Sequence, residues 1–576
     1  MPDEITLTVT ANLPGYEPLD VSATVTLTPL APEPPEPTPP PDDDTAPLSV
    51  RIDYEGASYV YDEVLGVDLG DYHEPGGHFV QRCVLCTLPD LPGFRVMFRR
   101  DADIPRDAAF IPRDEVVFEL GGLWDVEPAN MAAYTATIMR GPSTLAVVQA
   151  PAHYWHSRWR WQSAPRPIIY QPESCATSLP PYSEALFGSA IPLSNPRTYD
   201  GPMSLAGLTA YIPSTGERDE IGLFTEAQAE YLCTGSDVAW FSVMAQLEAS
   251  GTLTWHFRDD RTNAPLDWVA HPNATMYSPS GADPYIKNPT SPIVLDVAHE
   301  PSLAFLPFLL TGDPYALESM QFACVYNVVM LSPGARANFN LGNAVRAVAW
   351  TLRALIQAAT TTPVSVPSWL LSSAVFDQRL GDEFEWFMSR FVGSDKPPFC
   401  NLSLVSDGIN SPADPPLPAD TWVAPWQEDF LTATLGWIVG MGGLAEDWRP
   451  VLEWKALDLM ARTNGTSGWV RAVPSPYEVA IRSERGAEVV PHWAAAWDLN
   501  EGMQPDACVH DDPDTLPVGT NLTYPSYALG ALALAARAGV PQAQACYDWL
   551  LSEMQRNTNA SCYCRRKWAM ASPSAH

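Results

Sequence analysis

The sequence is short of positive charge. Lys and Arg number 33 against 68 Asp and Glu, a net charge of −35 over 576 residues. A field of that sign repels polyanions and argues against nucleic acid as a partner. The chain also lacks any run of about 18 apolar residues, so no membrane span is expected. Its start, MPDEITLTVTANL, has neither a basic n-region nor an apolar h-region, so no signal peptide is expected. An extracellular site of action would then need another route, such as release by lysis, and the default is cytoplasmic. Among ten cysteines, only Cys83–Cys86 and Cys562–Cys564 are closely spaced. No second Cys or His pair stands at metal-ligand spacing, so structural or free thiols are expected, with no metal and no cofactor.

What is present points to a large globular chain. At 46% apolar residues it can bury a sizeable core, and its length implies two or three domains. The 20 Trp and 21 Tyr suit stacking on sugar rings, although most are expected in the core. Residues 4–30 alternate apolar and polar positions and read as two strands. APEPPEPTPPPDDDTAP (31–47) follows as a stiff Pro-rich linker without a core. Residues 1–30 therefore form a small separate β element. It is either an attachment tag that docks on a larger assembly, such as a virion, or a disordered tail. Residues 48–210 are dense in short strand signals, including LSVRIDYEG, FVQRCVLC, FRVMFRR, VVFELGG, YTATIMRG and STLAVVQA. An antiparallel β-sandwich is the expected solution. Within it, HYWHSRWRWQ (153–162) is either a strand with an aromatic face for a ligand or the seam against the next domain.

From residue 211 the texture becomes helical. Hairpins are expected at 224–250, 300–326, 429–460 and 527–554, with a less similar pair at 342–360 and 366–391. Gly235, Gly312 and Gly539 sit where a first helix must end, since Gly enters the left-handed region without a Cβ penalty. Ser236 and Asp313 follow as N-caps, and Pro314 and Pro541 fall near the next first turn. Pro301 is expected to open a helix and Pro307 to kink it. The first helix of each hairpin is apolar nearly all round and the second carries charge. This pattern predicts an inner and an outer helix, closing as an irregular toroid or stacking as a solenoid.

A sandwich followed by hairpins with TGD-type turns resembles the (α/α)-toroid carbohydrate-active enzymes, which include polysaccharide lyases and glycoside hydrolases. TGERDEIGLFTEAQAEYLCTGS and AHEPSLAFLPFLLTGDPYALESMQF are also similar to uncharacterised toroid proteins of bacterial and phage genomes. The resemblance covers residues 211–576, with weaker support over 48–210. It implies a glycan cleft at one end of the toroid, and it says little of the reaction, because folds host many activities.

In a toroid the inner helices run the same way, so the residues before each one gather at one end. Those residues are Glu217, Arg218, Asp219 and Glu220; His299 and Glu300; Asn340, Asn343 and Arg346; Trp426, Gln427, Glu428 and Asp429; and Asn521, Tyr524 and Tyr527. A loop adds His492, Trp493 and Asp498. Capping accounts for Asp429, Asn343 and Glu300. It does not account for His299, Arg346, His492 or the tyrosines, because the helix dipole disfavours cations at an N-terminus. Two reactions on a surface or extracellular polysaccharide fit these residue types. In β-elimination, His299 or a tyrosine serves as base and acid, and Asn343 or Arg346 as neutraliser. In hydrolysis, two of Asp219, Glu220, Glu300, Glu428, Asp429 and Asp498 flank the bond. The lyase is placed first. A third reading is a particle-associated protein that binds glycan without cutting it.

Overall fold

A computed structural model describes the backbone of residues 3–11 and 19–27. It describes in full most of 46–103, 113–124, 127–186, 196–214, 218–287, 290–337, 345–393, 421–442, 447–500, 514–516, 522–557 and 566–573. Strands β1 (Asp3–Ala11) and β2 (Leu19–Leu27) form an antiparallel hairpin. The linker lies outside the described residues.

Nine further strands make two antiparallel sheets. They are β3 (Leu48–Tyr54), β4 (Ala57–Asp62), β5 (Val67–His73), β6 (Val80–Thr87), β7 (Phe94–Asp103), β8 (Asp114–Leu120), β9 (Tyr134–Arg140), β10 (Ser143–Ala150) and β11 (Ser157–Gln162). The sheet orders are β10-β9-β3-β4 and β11-β8-β7-β6-β5. Strands β4 and β5 escape sequence reading because each is an edge strand with half its residues in solvent. The sheets share one core, in which Val50, Ile52 and Ile138 meet Val96, Phe98, Val116 and Phe118.

The five-stranded sheet is buried on both faces. Side chains alternate along a strand, so β8 sends Val116 and Phe118 into the shared core and Glu115, Val117 and Glu119 to the other side. HYWHSRWRWQ resolves the same way. Trp155 and Trp159 are core, and Arg158 and Arg160 form the seam against the helical half. The arginine face of this strand is thus the seam.

The helices are α1 (Glu226–Thr234), α2 (Asp237–Ser250), α3 (Phe305–Thr311), α4 (Pro314–Val329), α5 (Pro333–Ala337), α6 (Val345–Thr361), α7 (Ser373–Arg390), α8 (Pro425–Met441), α9 (Arg449–Thr463), α10 (Trp493–Asn500), α11 (Thr523–Arg537) and α12 (Ala543–Arg556). A short pair, β12 (Trp422–Val423) with β13 (Val479–Ala480), lies among them. Among the described residues no helix is long and apolar enough to cross a membrane. Gly235 and Gly312 close α1 and α3 at φ +64, and Ser236 and Asp313 cap α2 and α4. Helices α6, α8 and α11 lie side by side and parallel. Trp350 meets Phe430 at 5.0 Å, Phe430 meets Tyr527 at 4.8 Å, and a Cβ on Gly436 would stand 2.9 Å from Leu534.

Three local expectations are corrected. Helix α3 begins at Phe305, so Pro301 precedes it and Pro307 sits in its first turn. There the missing N–H has no intrahelical partner to lose, and no kink follows. Pro541 falls where expected, beside the Gln542 cap and the first turn of α12. Helix α4 carries a charge as an outer helix should, yet every residue of it is buried, because the charged face of the five-stranded sheet covers it.

That cover is ionic. Glu318 of α4 accepts hydrogen bonds from Arg99 at 2.7 Å, Arg258 at 2.5 Å and Arg158. The α4 cap, Asp313, accepts from Arg160 at 2.7 Å. Breaking one partner of a buried pair strands the others and costs about 3–5 kcal/mol. Glu318→Ala takes a carboxylate from three guanidiniums and leaves Arg158 with none, while Arg99 keeps Glu115 and Arg258 keeps Glu119. Chemical denaturation is expected to show a loss of at least about 4 kcal/mol, with Glu318→Gln recovering only part of it.

Candidate functional site

Polar residues preceding several helices do meet. Asp296 caps a 3-10 turn, Val297–His299, by accepting from the Ala298 N–H. His299 Nδ1 is hydrogen-bonded to the same carboxylate. With Nδ1–H donating to Asp296, Nε2 is left as an acceptor. Nε2 makes no hydrogen bond among the described residues and is not among their sealed atoms, so it faces open space.

Arg346 at the start of α6 stands beside this dyad. Its backbone N–H points at Gln427 Oε1 at 3.5 Å, and its guanidinium lies over the Trp426 ring at 5.4 Å. No carboxylate among the described residues forms an ion pair with it, and its Nε is buried without a hydrogen bond. Trp426 then leads to the tyrosines. Tyr477 stacks on it at 5.8 Å, Tyr524 is tilted to it at 5.9 Å, and Tyr477 meets Tyr524 edge-on at 5.9 Å. Tyr527 lies deeper, between Phe430 and Trp568. Arg218 closes the other side, donating to Glu220 at 2.7 Å and to Ser214 at 2.6 Å.

The electrostatics are legible. Burial pushes the His299 pKa below 6.5; the Asp296 hydrogen bond opposes this, and the Arg346 and Arg218 charges add to it. Burial raises Asp296, but the His299 hydrogen bond and charge, the Ala298 N–H and the Arg346 charge together outweigh it and hold the carboxyl below the usual range. Burial also lowers Arg346, against the pull of Asp296 and Tyr477. A neutral imidazole, an anion that orients it and an unpaired cation thus share one corner.

Other sequence candidates fall elsewhere. Glu217, Asn343, Asn340 and Asn521 lie outside the described residues. Glu300 ends the 3-10 turn and caps no helix; it is buried with Arg353 at 3.7 Å and accepts from Asn327. Asp429 is committed to Arg462 and Ser475, both at 2.5 Å, and Glu428 to Lys455. Asp219 pairs with Arg197 at 3.2 Å. His492 is exposed, and Trp493 packs on Trp469 in a small separate core. Cys83 and Cys86 face opposite sides of β6, one in each core, and burial pushes their thiols up to about 11 and about 12.

Two members of the cluster escape sequence reading. Asp296 stands three residues before His299, a spacing that joins side chains across one helical turn. Tyr477 is brought in by the β12–β13 pairing, which ties the 470s to the segment before α8. Comparison of the chain with protein-family models, curated proteins and solved structures finds no match.

Glu300 generates a stability prediction. Burial raises its pKa from 4.5 to about 7, against the pull of Arg353 and Asn327. A carboxyl raised in the folded state favours folding at low pH, and that favour is lost as pH rises from 4.5 through 7. Glu300→Gln removes the dependence. Urea denaturation at pH 5 and pH 8 is expected to show the variant gaining on the native chain at pH 8, by on the order of 2 kcal/mol.

Proposed function

We propose that the five hairpins close into an (α/α) toroid set against a β-sandwich, and that the His299 cluster cuts an acidic polysaccharide by β-elimination. The observation that carries this reading is the Asp296–His299 dyad beside a cation without a carboxylate partner. In the proposed step, His299 Nε2 takes the C5 proton of a hexuronate. The electron pair forms the C4–C5 double bond as the C4–O bond breaks. The departing oxygen takes a proton from the Tyr524 phenol. Arg346 neutralises the charge that grows on the sugar carboxylate, and Trp426 with Tyr477 offers an aromatic wall for the ring. Arg346 and Arg218 balance Asp296 and Glu220, so the cluster itself carries no net negative charge within a chain of −35.

Hydrolysis is the weaker alternative. Glu300, Glu428, Asp429, Asp219 and Glu220 are each tied to a cation, and Asp498 stands exposed on α10, whose Trp493 and Ala496 pack in the small separate core. The N-terminal hairpin is proposed to dock on a larger assembly such as a virion. The register places Ile5, Leu7 and Val9 opposite Val25, Ala23 and Val21, one apolar row on one face. A lone two-stranded hairpin is marginal in water and needs such cover.

A panel of acidic and neutral polysaccharides tests the reading, followed by ultraviolet absorbance of unsaturated uronates and by reducing-end release. Absorbance growing with cleavage supports it. Reducing ends without absorbance point to hydrolysis, and silence in both points to a glycan-binding protein. His299→Gln is expected to lower kcat by about 100- to 10,000-fold, the usual span for a general base. The acid limb of kcat/KM should lie below pH 6.5, since the depressed imidazole is already neutral above it.

A further inference from the structure

A cavity of about 390 Å³ opens where the loop after β8 meets the 282–287 segment of the helical half. That size lies within the range of small-ligand pockets, about 300–1,000 Å³. Its wall includes Trp124, Glu127, Trp155, His156, Tyr285 and Lys287, none of them part of the His299 cluster.

Buried polar groups in this wall are left over. Trp155 and His156 are each 1% exposed. Trp155 Nε1 and His156 Nδ1 have no hydrogen-bond partner among the described residues. Both atoms are shut off from solvent and lie behind the wall, so the groups open to a ligand are those of the partly exposed Trp124 and Tyr285 and of the rim. His156 is also held at φ +63, a left-handed conformation that costs a non-glycine residue roughly 1–2 kcal/mol. Strain of this kind persists where surroundings over-determine it, and it gathers at binding sites.

The chemistry of the wall selects the ligand. Burial pushes His156 down to about 3, so its ring is neutral. Glu127 and Lys287 pair with each other at 2.8 Å on the exposed rim, and Asp283 stands exposed beside them. No unpaired cation faces the cavity to hold an anion. Trp124 is fixed by Asp259, which accepts from its Nε1 at 2.9 Å, and by Arg261, which covers its ring at 3.8 Å. A fixed indole, a nearby tyrosine and mixed donors and acceptors suit hydroxyl groups, which both give and take hydrogen bonds.

We infer that this cavity is a binding subsite for an uncharged sugar unit of a glycan, separate from the His299 cluster. It holds whether or not that cluster is a lyase. Calorimetric titration of the full chain tests it, with neutral gluco-, galacto- and manno-oligosaccharides as probes and an oligogalacturonate as the charged control. One neutral probe is expected to bind the native chain and His299→Gln alike. Trp124→Ala is expected to weaken it at least about tenfold. Tyr285→Ala, which disturbs no observed hydrogen bond, is expected to do the same should Trp124→Ala fail to fold. Absence of binding by every neutral probe, or binding unchanged in a folded Trp124→Ala or Tyr285→Ala chain, overturns the inference. So does binding lost in His299→Gln, which would assign the sugar to the other site and leave the proposed reaction standing.

Discussion

Glu318 is the residue on which the two halves of the chain turn. It sits fully buried on α4 and gathers Arg99 from β7, Arg158 from β11 and Arg258 from the loop after α2. Around it, Arg160 bridges Glu115, Glu248 and Asp313, while Arg113 meets Glu115 and Arg166 meets Asp101. Removing so many charges from water is costly, and hydrophobic replacements of equal volume often serve stability as well. What an ionic seam adds is direction. A greasy contact between sheet and helix tolerates sliding, whereas three forks on one carboxylate admit one register. The seam thereby fixes α4 and its cap Asp313, hence the Gly312 turn and α3. Residues 296–302 follow from the same anchor, since Gln228 holds the Ser302 carbonyl at 2.9 Å and Arg353 the Glu300 carbonyl at 2.9 Å.

How legible was this in the sequence? The hairpins were, because their signals are local. A Gly at the helix end, a Ser or Asp cap one residue on and an apolar first helix need no distant partner to be read. The strands of the two-faced sheet were legible as strands. The meaning of their alternating charges was not: SRWRWQ looks the same whether its arginines face water, a ligand or a second domain. Strands β4 and β5 escaped because edge strands bury too little to show a pattern. Pro301 does not open a helix because the chain makes a 3-10 turn, then five residues without helix, before α3. That detour is held by Glu300, whose partners Asn327 and Arg353 are distant in sequence.

The site shows the same division. That Arg218, His299, Arg346, Gln427 and Tyr524 would approach one another followed from helix direction alone. Tyr477 could not, since it arrives through a two-residue strand pairing. Asp429 illustrates the limit from the other side. It begins α8 in the right place, yet its partners are Arg462 on α9 and Ser475. Position along a helix assigns a level, and only packing assigns the side.

The contrast between the arginines separates structure from chemistry within this chain. At the seam each guanidinium meets at least one carboxylate, as buried charge requires. Arg346 is also largely withdrawn from water and stands in the first described turn of α6, where the dipole opposes it, yet it meets no carboxylate among the described residues. Trp426 beneath it offers a cation–π contact of about 1–2 kcal/mol, too little to offset both costs. Asp296, the nearest source of negative charge, is engaged by His299. Under the proposed elimination, this is the cation placed to meet a hexuronate carboxylate. Burial, with the Arg346 and Arg218 charges behind it, holds the His299 imidazole below its ordinary range against the Asp296 hydrogen bond.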